Sequence, residues 1–448
     1  MEKNGLTEGK VWQKLLLFAL PVIGANLLQA MYGTVDLMVV GWFSDAAQVS
    51  AVSTGSMTMQ TITGIVIGLT MGSTVLLGQS IGRKDYPKAT RIVGSSFALF
   101  VILAGIMSGL IYFGSKMIAS LMNAPAEAFS GTVAYIKICG IGIICIILFN
   151  AISAMFRGIG DSGTPLLLMG VACVSNIVGD LILVGGLKLG SAGAAYATVA
   201  AQGMSVLAAF GLIKKNGLGF RLAVGQLRPA WKEVRAILKY GLPIAAQEAL
   251  TGLSFMIILA ILNGFGLIAS AGVGVAEKIC ALMFIIPSAM MAALSAFSAQ
   301  NVGAGKFDRA KKGMYVSMAL SFAIGMCMFL TSFFFGVKLA GFFTKDMEIC
   351  KAAADYLKSY ALDCSIVGFN FSMMGYLNGR GYTGFVAIQG ILSTFLVRIP
   401  VSWFMSKIPN VTLFQVGFAT PLATVFAILI TSIYIKHIER TGDGPLSQ

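Results

Sequence analysis

Acidic residues inside long apolar runs are the clearest candidates for chemistry in this sequence. Asp36 lies in the run 14–41, and Asp180 lies in the run 165–186 with Asn176 four residues before it. This spacing places Asn176 and Asp180 on one face of a helix, one turn apart. Two carboxylates and an amide supply hard oxygen ligands for a proton or for a hard cation such as Na⁺. Since charge inside a bilayer is costly, these residues predict an ion-binding site, the alternative being hydrated acids near a membrane end.

The second half of the chain offers three further acids, Glu248, Glu277 and Asp363, together with Arg398. Each acid lies within an apolar run, so we predict a cation or substrate site in this half. A structural salt bridge to another helix is the alternative. Arg398 could pair with any of the three acids, and the sequence does not select one.

Pro21 lies 15 residues before Asp36 in the first apolar run. Proline removes a backbone hydrogen bond, so a kink is expected in this helix. A kinked helix that carries a titratable acid would serve as a moving part. The alternative is a membrane proline that neighbouring groups tolerate without a role in motion.

Composition identifies the elements that must position these residues. The chain has 448 residues, of which 57% are hydrophobic and 11% charged, whereas soluble domains carry about 25% charged residues. Lipid must therefore cover most of the surface, and about 20 apolar residues suffice for each spanning helix. The predicted fold class is an all-α integral membrane protein with twelve transmembrane helices. The runs are 14–41, 50–78, 92–115, 130–154, 165–186, 191–213, 238–263, 268–299, 314–337, 353–377, 384–406 and 411–435.

Positive charge is distributed unevenly between the two sets of loops. The even-numbered loops and the termini hold 22 Lys and Arg residues, against 7 in the other loops and adjoining helix ends. This bias predicts a multi-pass plasma-membrane protein with both termini in the cytoplasm. It also accounts for the net charge of +14 without nucleic acid as a partner, since no aromatic and basic residues interleave as in a nucleic-acid groove.

The chain repeats itself at an offset near 221 residues. The matching positions are Leu20-Pro21 with Leu242-Pro243, Gln79 with Gln300, Tyr135 with Tyr356, and Gly158, Gly160 and Gly163 with Gly379, Gly381 and Gly384. Six helices per repeat is an even number, so both halves insert in the same direction. We therefore predict two six-helix bundles, 1–221 and 222–448, related by a pseudo-two-fold axis along the membrane normal. A cytoplasmic linker is expected at about 214–239.

Other chemistry is poorly represented. His437 is the single histidine, and none of the seven cysteines forms a CxxC pair. No HExxH motif or Ser/His/Asp set is present, so we predict that the chain is not an enzyme and needs no cofactor or structural metal. The cysteines are expected to act as small buried hydrophobes.

Three motifs resemble the multidrug and toxic compound extrusion (MATE) family. They are Leu20-Pro21 with Val35-Asp36 and Gly41, the stretch from Gly68 to Gly82, and the loop Arg157-Gly158-Ile-Gly160-Asp161 followed by Pro165. The second-half loop departs from this pattern, because Tyr382 and Val386 replace the Asp and the Pro. The likeness covers nearly the whole chain.

The resemblance implies a V-shaped transporter that expels cationic or amphipathic organic compounds in exchange for H⁺ or Na⁺. Some members bind the cation in the N-terminal six-helix bundle, here called the N-lobe. The matching positions in this sequence are Asp36, Asn176, Asp180 and Thr198. In those members, bending at the proline that matches Pro21 is tied to protonation.

Other members place an acidic pair in the C-terminal six-helix bundle, the C-lobe. Glu248 and Asp363 are the nearest candidates for this pair. The expected partners are small organic cations or amphipathic drugs, H⁺ or Na⁺, and membrane lipids, and the chain is expected to be a monomer.

Several alternatives remain open at this point. A flippase or exporter of a specific lipid-linked saccharide or metabolite would carry a strongly cationic cavity, but only Lys137, Lys278 and Arg398 lie within predicted helices. A major-facilitator carrier shares the twelve helices and the repeat, but the core of its signature loop is missing. A membrane enzyme would need a catalytic cluster, and a channel would need a pore loop.

Overall fold

The computed structural model describes residues 5–218, 220 and 228–441, and this part of the chain is almost entirely helical. The boundary predicted between residues 221 and 222 lies outside the described residues, as do residues 219 and 221–227 of the predicted linker and both chain ends. The helices are α1 (Val11–Phe43), α2 (Ala46–Gly82), α3 (Tyr86–Leu121), α4 (Ala126–Ile141), α5 (Ile143–Ile159), α6 (Gly163–Asp180), α7 (Gly190–Asn216), α8 (Trp231–Asn263), α9 (Leu267–Gly303), α10 (Phe307–Gly341), α11 (Met347–Arg380), α12 (Thr383–Leu392), α13 (Ile399–Ser406), α14 (Leu413–Gly417) and α15 (Ala419–Thr441).

Two short π-helical turns extend these helices. The first π-turn, Leu181–Gly186, continues α6, and the second π-turn, Ser393–Arg398, joins α12 to α13. A π-turn bonds residue i to i+5, so it holds one residue more per hydrogen-bonded loop than an α-helix. Side chains after such a turn are therefore rotated relative to an unbroken α-helix.

The helices are long and apolar enough to cross a bilayer. In the described residues, ten helical spans meet this criterion, and α4 with α5, bent by 53°, makes an eleventh. The remaining long helix, α11, occupies the tenth predicted run and is the least apolar of the long helices. Large apolar side chains such as Phe113, Leu267 and Phe342 remain exposed, as expected for a surface covered by lipid.

The chain divides into two compact units. The first unit contains Leu20–Ala245, and the second contains Leu6–Ala19 and the residues from Ala246 onward. The start of α1 thus belongs to the second unit, and the start of α8 belongs to the first. Each change of unit falls close to a proline, Pro21 in α1 and Pro243 in α8.

Within the first unit, glycines allow α2 and the start of α8 to approach each other closely. A side chain at Gly72 would overlap the carbonyl oxygen of Ile237, and one at Gly241 would overlap that of Leu69. Small residues at such crossings permit the backbone contact on which helix association in membranes depends. The opening of α8 is therefore an integral part of the first unit.

Within the second unit, Arg309 binds the segment that precedes α1. Its guanidinium donates to the carbonyl oxygens of Leu6 (3.4 and 3.3 Å), Glu8 (2.9 Å) and Gly9 (2.6 Å). Lys306 donates to the carbonyl of Thr7 at 3.0 Å. We call residues 6–9 the N-terminal strap. These bonds satisfy backbone carbonyls that have no helical partner.

The repeat predicted from the sequence is visible in local geometry. Gly160 ends α5 and Gly381 ends α11, both in the left-handed region with φ of 98° and 92°. Glycine adopts this conformation without steric cost. Residues 221 positions apart thus have the same structural role.

Candidate cation site

Three helices of the first unit bring the predicted ion-binding residues together. Asp36 comes from α1, Asn176 and Asp180 from α6, and Thr198 from α7. Asp36 and Asn176 are each 1% exposed and Asp180 is fully buried. Asp36 is close enough to Asn176, Asp180 and Thr198 for all four side chains to interact. The residues separated by up to 162 positions in the sequence therefore form one cluster.

One direct hydrogen bond organises the cluster. The hydroxyl of Thr198 donates to Oδ2 of Asp36 at 3.2 Å. The phenol of Tyr32, one helical turn before Asp36, donates to the backbone carbonyl of Thr198 at 3.2 Å. Tyr32 thus ties α1 to α7 directly beside the carboxylate.

Most of the remaining polar atoms in the cluster have no hydrogen bond. Among the described residues, Oδ1 of Asp36, both carboxylate oxygens of Asp180 and both side-chain polar atoms of Asn176 are buried and unpartnered. No Lys or Arg nitrogen in this part of the chain lies within 4.0 Å of either carboxylate. Buried polar groups normally have partners. Two buried carboxylates without a counter-charge therefore fit a site that takes up a proton or a small cation.

Aromatic and small residues enclose the cluster. Tyr135 and Cys139 of α4 are buried beside Asp36 and Thr198. Gly55 of α2 makes room for Tyr135, because a side chain at Gly55 would overlap the tyrosine ring. Sequence reasoning missed Tyr32, Tyr135 and Cys139 as neighbours of the cluster. Only Tyr32 carries a local signal, since it lies one turn before Asp36.

The helix geometry changes at Asp180. Asp180 is the last residue of α6, and the first π-turn begins at the next residue. A single π-turn within a helix frequently marks a functional site. Gly179 lets α6 approach α7, since a side chain there would lie 3.0 Å from Cβ of Ala197.

The first unit also carries an apolar groove on α1 and α6. Its volume is about 560 Å³, and its lining includes Leu28 of α1 and Leu166, Val171 and Ser175 of α6. Val174, which lines the groove, is exposed, whereas Asn176 is buried. Consecutive residues of an α-helix point about 100° apart, so the groove and the polar cluster use different faces of α6.

Pro21 lies within α1, which continues as one helix from Val11 to Phe43. Its position coincides with the passage of α1 from the second unit into the first. The predicted bending at Pro21 remains a prediction.

The predicted acids of the second half differ in their burial. Glu248 lies on an exposed face of α8. Asp363 is buried in α11 and Glu277 is half-buried in α9. In the described residues neither Asp363 nor Glu277 has an oxygen within 4.0 Å of an Arg398 nitrogen, and the direct partners of Arg398 are Tyr360 and Phe255.

The long apolar helices and the buried carboxylates define a multi-pass membrane transporter. The chain belongs to the MATE family of transporters, because the MatE family model matches residues 21–182 and again 243–404. The two matches agree with the predicted internal repeat. Membership also places the chain among transporters and not among enzymes, as the sequence predicted.

Curated relatives extend over nearly the whole chain. The probable multidrug resistance protein YpnP of Bacillus subtilis is 26% identical over 410 residues, which is 91% of each chain. The probable multidrug resistance protein NorM of Thermotoga maritima is 25% identical, covering 89% of this chain and 86% of its own. The multidrug export protein MepA of Staphylococcus aureus is also 25% identical, covering 97% and 96%.

Solved structures have the same fold. A crystal structure of a MATE protein in complex with MaL6 has a TM-score of 0.91 and 18% identity, covering 98% of this chain and 100% of its own. A MOP-superfamily transporter from Pyrococcus furiosus also has a TM-score of 0.91 and 18% identity, covering 98% and 99%. The predicted twelve-helix, all-α membrane fold is confirmed.

Proposed function

We propose that this chain is a multidrug exporter that expels cationic or amphipathic organic compounds in exchange for H⁺ or Na⁺. The observation that carries the proposal is the pair of buried carboxylates, Asp36 and Asp180, whose oxygens are largely unpartnered. Such a pair is costly in hydrocarbon unless a cation reaches it. The names of the curated relatives, which describe multidrug resistance and export, support the choice of cargo.

The coupling cation acts through differential binding. A proton or Na⁺ on Asp36 and Asp180 removes the repulsion between the carboxylates and draws α1 toward α6. Substrate and cation then favour different conformations, and each shifts the balance only as far as its affinities for the two states differ. Moving one charge across the membrane adds about 2.3 kcal/mol per 100 mV.

The apolar groove on α1 and α6 is the proposed contact for the apolar part of the cargo. Its lining by Leu28, Leu166 and Val171 suits the apolar part of an amphipathic compound. Ligand sites of this kind are mostly apolar with few polar groups that fix orientation. A cationic cargo would be attracted by the same acids that hold the coupling ion.

The exporter is proposed to lie in the plasma membrane with both termini in the cytoplasm, as the loop charges indicate. One chain carries both units, so a monomer suffices for transport.

The test is drug resistance in a pump-deficient host. Asp36→Asn keeps the size of the side chain but removes its charge, so resistance should be lost at unchanged expression. Asp346→Asn is the matched control, because Asp346 is an exposed acid at the start of α11 and Asn caps helices equally well. Full resistance of the Asp36→Asn strain would refute the role of Asp36.

The same strains distinguish the coupling ion. Efflux that stops when Na⁺ is withdrawn identifies Na⁺, and efflux that a protonophore abolishes at constant Na⁺ identifies H⁺. Efflux that is insensitive to both treatments would contradict cation exchange.

A further inference from the structure

A buried arginine lies in the second unit. Arg398 is 8% exposed and ends the second π-turn. Its Nη2 donates to the hydroxyl of Tyr360 at 2.8 Å, and its guanidinium carbon lies 4.3 Å from the ring centroid of Phe255. An aromatic face stabilises a cation that is removed from water. These two contacts fix the position of the guanidinium.

Two acids of the second unit form no ion pair with this cation. Asp363 lies three residues after Tyr360, the hydroxyl partner of Arg398, on the same face of α11. In the described residues no oxygen of Asp363 or Glu277 lies within 4.0 Å of the arginine nitrogens. Nε of Arg398, Oε1 of Glu277 and Oδ1 of Asp363 are buried and have no hydrogen bond. The second unit therefore contains buried acids, as the first does, but it also contains its own cation.

The internal repeat shows which position in the first unit Arg398 corresponds to. The two matched segments begin at residues 21 and 243 and end at residues 182 and 404, so their bounds differ by 222. The offset is 221 at the helix-ending glycines, Gly160 and Gly381. The second π-turn lies between these points and accommodates the additional residue.

At an offset of 222, the residues of the first-unit cluster correspond to residues of a different chemical type in the second unit. Asn176 corresponds to Arg398, and Asp180 corresponds to Ser402. Asp36 corresponds to Ile258, which is buried. At these three positions the first unit has two acids and an amide, whereas the second has a permanent cation, a serine and an isoleucine.

We propose that Arg398 is the built-in counter-cation of the second unit and takes the place that the coupling ion holds in the first. A guanidinium is always charged and cannot leave, so Asp363 and Glu277 are compensated without an ion from solution. The coupling cation then binds the first unit only. This inference rests on the proposed cation coupling at Asp36, but its test reads cation binding and not drug export.

The experiment counts cations bound by the purified full-length chain in lipid nanodiscs. The probes are ²²Na⁺ in equilibrium binding and potentiometric proton uptake. In the unsubstituted chain we expect one site, which Asp36→Asn removes and Asp363→Asn leaves in place. Arg398→Met should add a second site, and Arg398→Met combined with Asp363→Asn should lose it again.

Two results would overturn the inference. One is an Arg398→Met protein that folds but gains no cation site. The other is a cation site in the unsubstituted chain that needs Asp363 or Glu277. If Arg398→Met does not yield folded protein, cation binding is measured in Asp363→Asn and Glu277→Gln with Arg398 intact. Loss of a cation site in either variant would overturn the inference, and unchanged binding in both would support it. A chain whose cation binding does not depend on Asp36 refutes the proposed function separately, while a gain of binding in Arg398→Met still supports the role of Arg398.

Discussion

The hydroxyl of Thr198 donates a hydrogen bond to Asp36 over 3.2 Å, and it is the one direct hydrogen bond to that carboxylate in the described residues. The bond joins α7 to α1 at the point where the other carboxylate oxygen has no partner. Thr198 therefore both orients Asp36 and stabilises its charged form.

Thr198→Ala should change the apparent cation affinity by about tenfold, which corresponds to about 1.4 kcal/mol. Whether the apparent affinity rises or falls identifies the coupling ion. Loss of the donor favours the protonated carboxyl group, so proton binding becomes tighter, whereas Na⁺ loses a neighbouring oxygen ligand and binds more weakly. Cation-dependent efflux in proteoliposomes measures the shift. Thr198→Ser should retain the parental cation dependence, and an unchanged dependence in Thr198→Ala would contradict the assignment.

Gly55→Ala should destabilise the first unit by about 1–3 kcal/mol, the usual cost of overpacking. The added methyl group would overlap the ring of Tyr135, which is itself buried. Thermal unfolding in nanodiscs measures the loss. In a Tyr135→Ala background the ring is absent, so Gly55→Ala should cost much less. Equal costs in both backgrounds would show that the two side chains do not compete for space.

Gly72→Ala should lower the yield of folded protein, because its methyl group would overlap the carbonyl oxygen of Ile237 on α8. Gly64→Ala is the matched control on the same helix, since nothing lies within 4 Å of a methyl group there. Size-exclusion profiles of the two detergent-purified variants compare them directly. A Gly72→Ala protein as monodisperse and abundant as Gly64→Ala would exclude a tight α2–α8 contact.

Arg309→Ala should release the N-terminal strap, because it removes four hydrogen bonds to backbone carbonyls. Backbone hydrogen exchange in a peptide covering residues 5–14 should accelerate by about tenfold. Lys312→Ala, an exposed residue of the same helix, should leave that exchange unaltered. Equal exchange rates in the two variants would show that Arg309 does not hold the N-terminal strap in place.

Much of the helical framework could be predicted from the sequence, because the length of each apolar run is set by bilayer thickness. Each of the twelve runs falls on a long helix or a pair of joined helices. The helix ends could not be predicted as well. The run 92–115, for example, corresponds to α3, Tyr86–Leu121, because a helix continues into polar surroundings where its residues are no longer uniformly apolar.

Side-chain partners between helices were harder to predict. Asn176 and Asp180 share a helix face because they are four residues apart. No local pattern in α1 or α7 predicts that Asp36 and Thr198 contact each other at this cluster. For Arg398, its charge predicted an acidic partner, whereas the direct partners in the structure are Tyr360 and Phe255. The second π-turn rotates the end of this helix, and a rule based on a constant helical period does not anticipate that rotation.

The exchange of helix openings at Pro21 and Pro243 has a consequence for dividing the chain into fragments. A fragment that ends before α8 lacks the opening of α8, whose Gly241 packs on α2. A fragment that begins at α8 lacks the N-terminal strap that Arg309 binds. Neither half of the sequence, expressed by itself, contains all the residues of one compact unit.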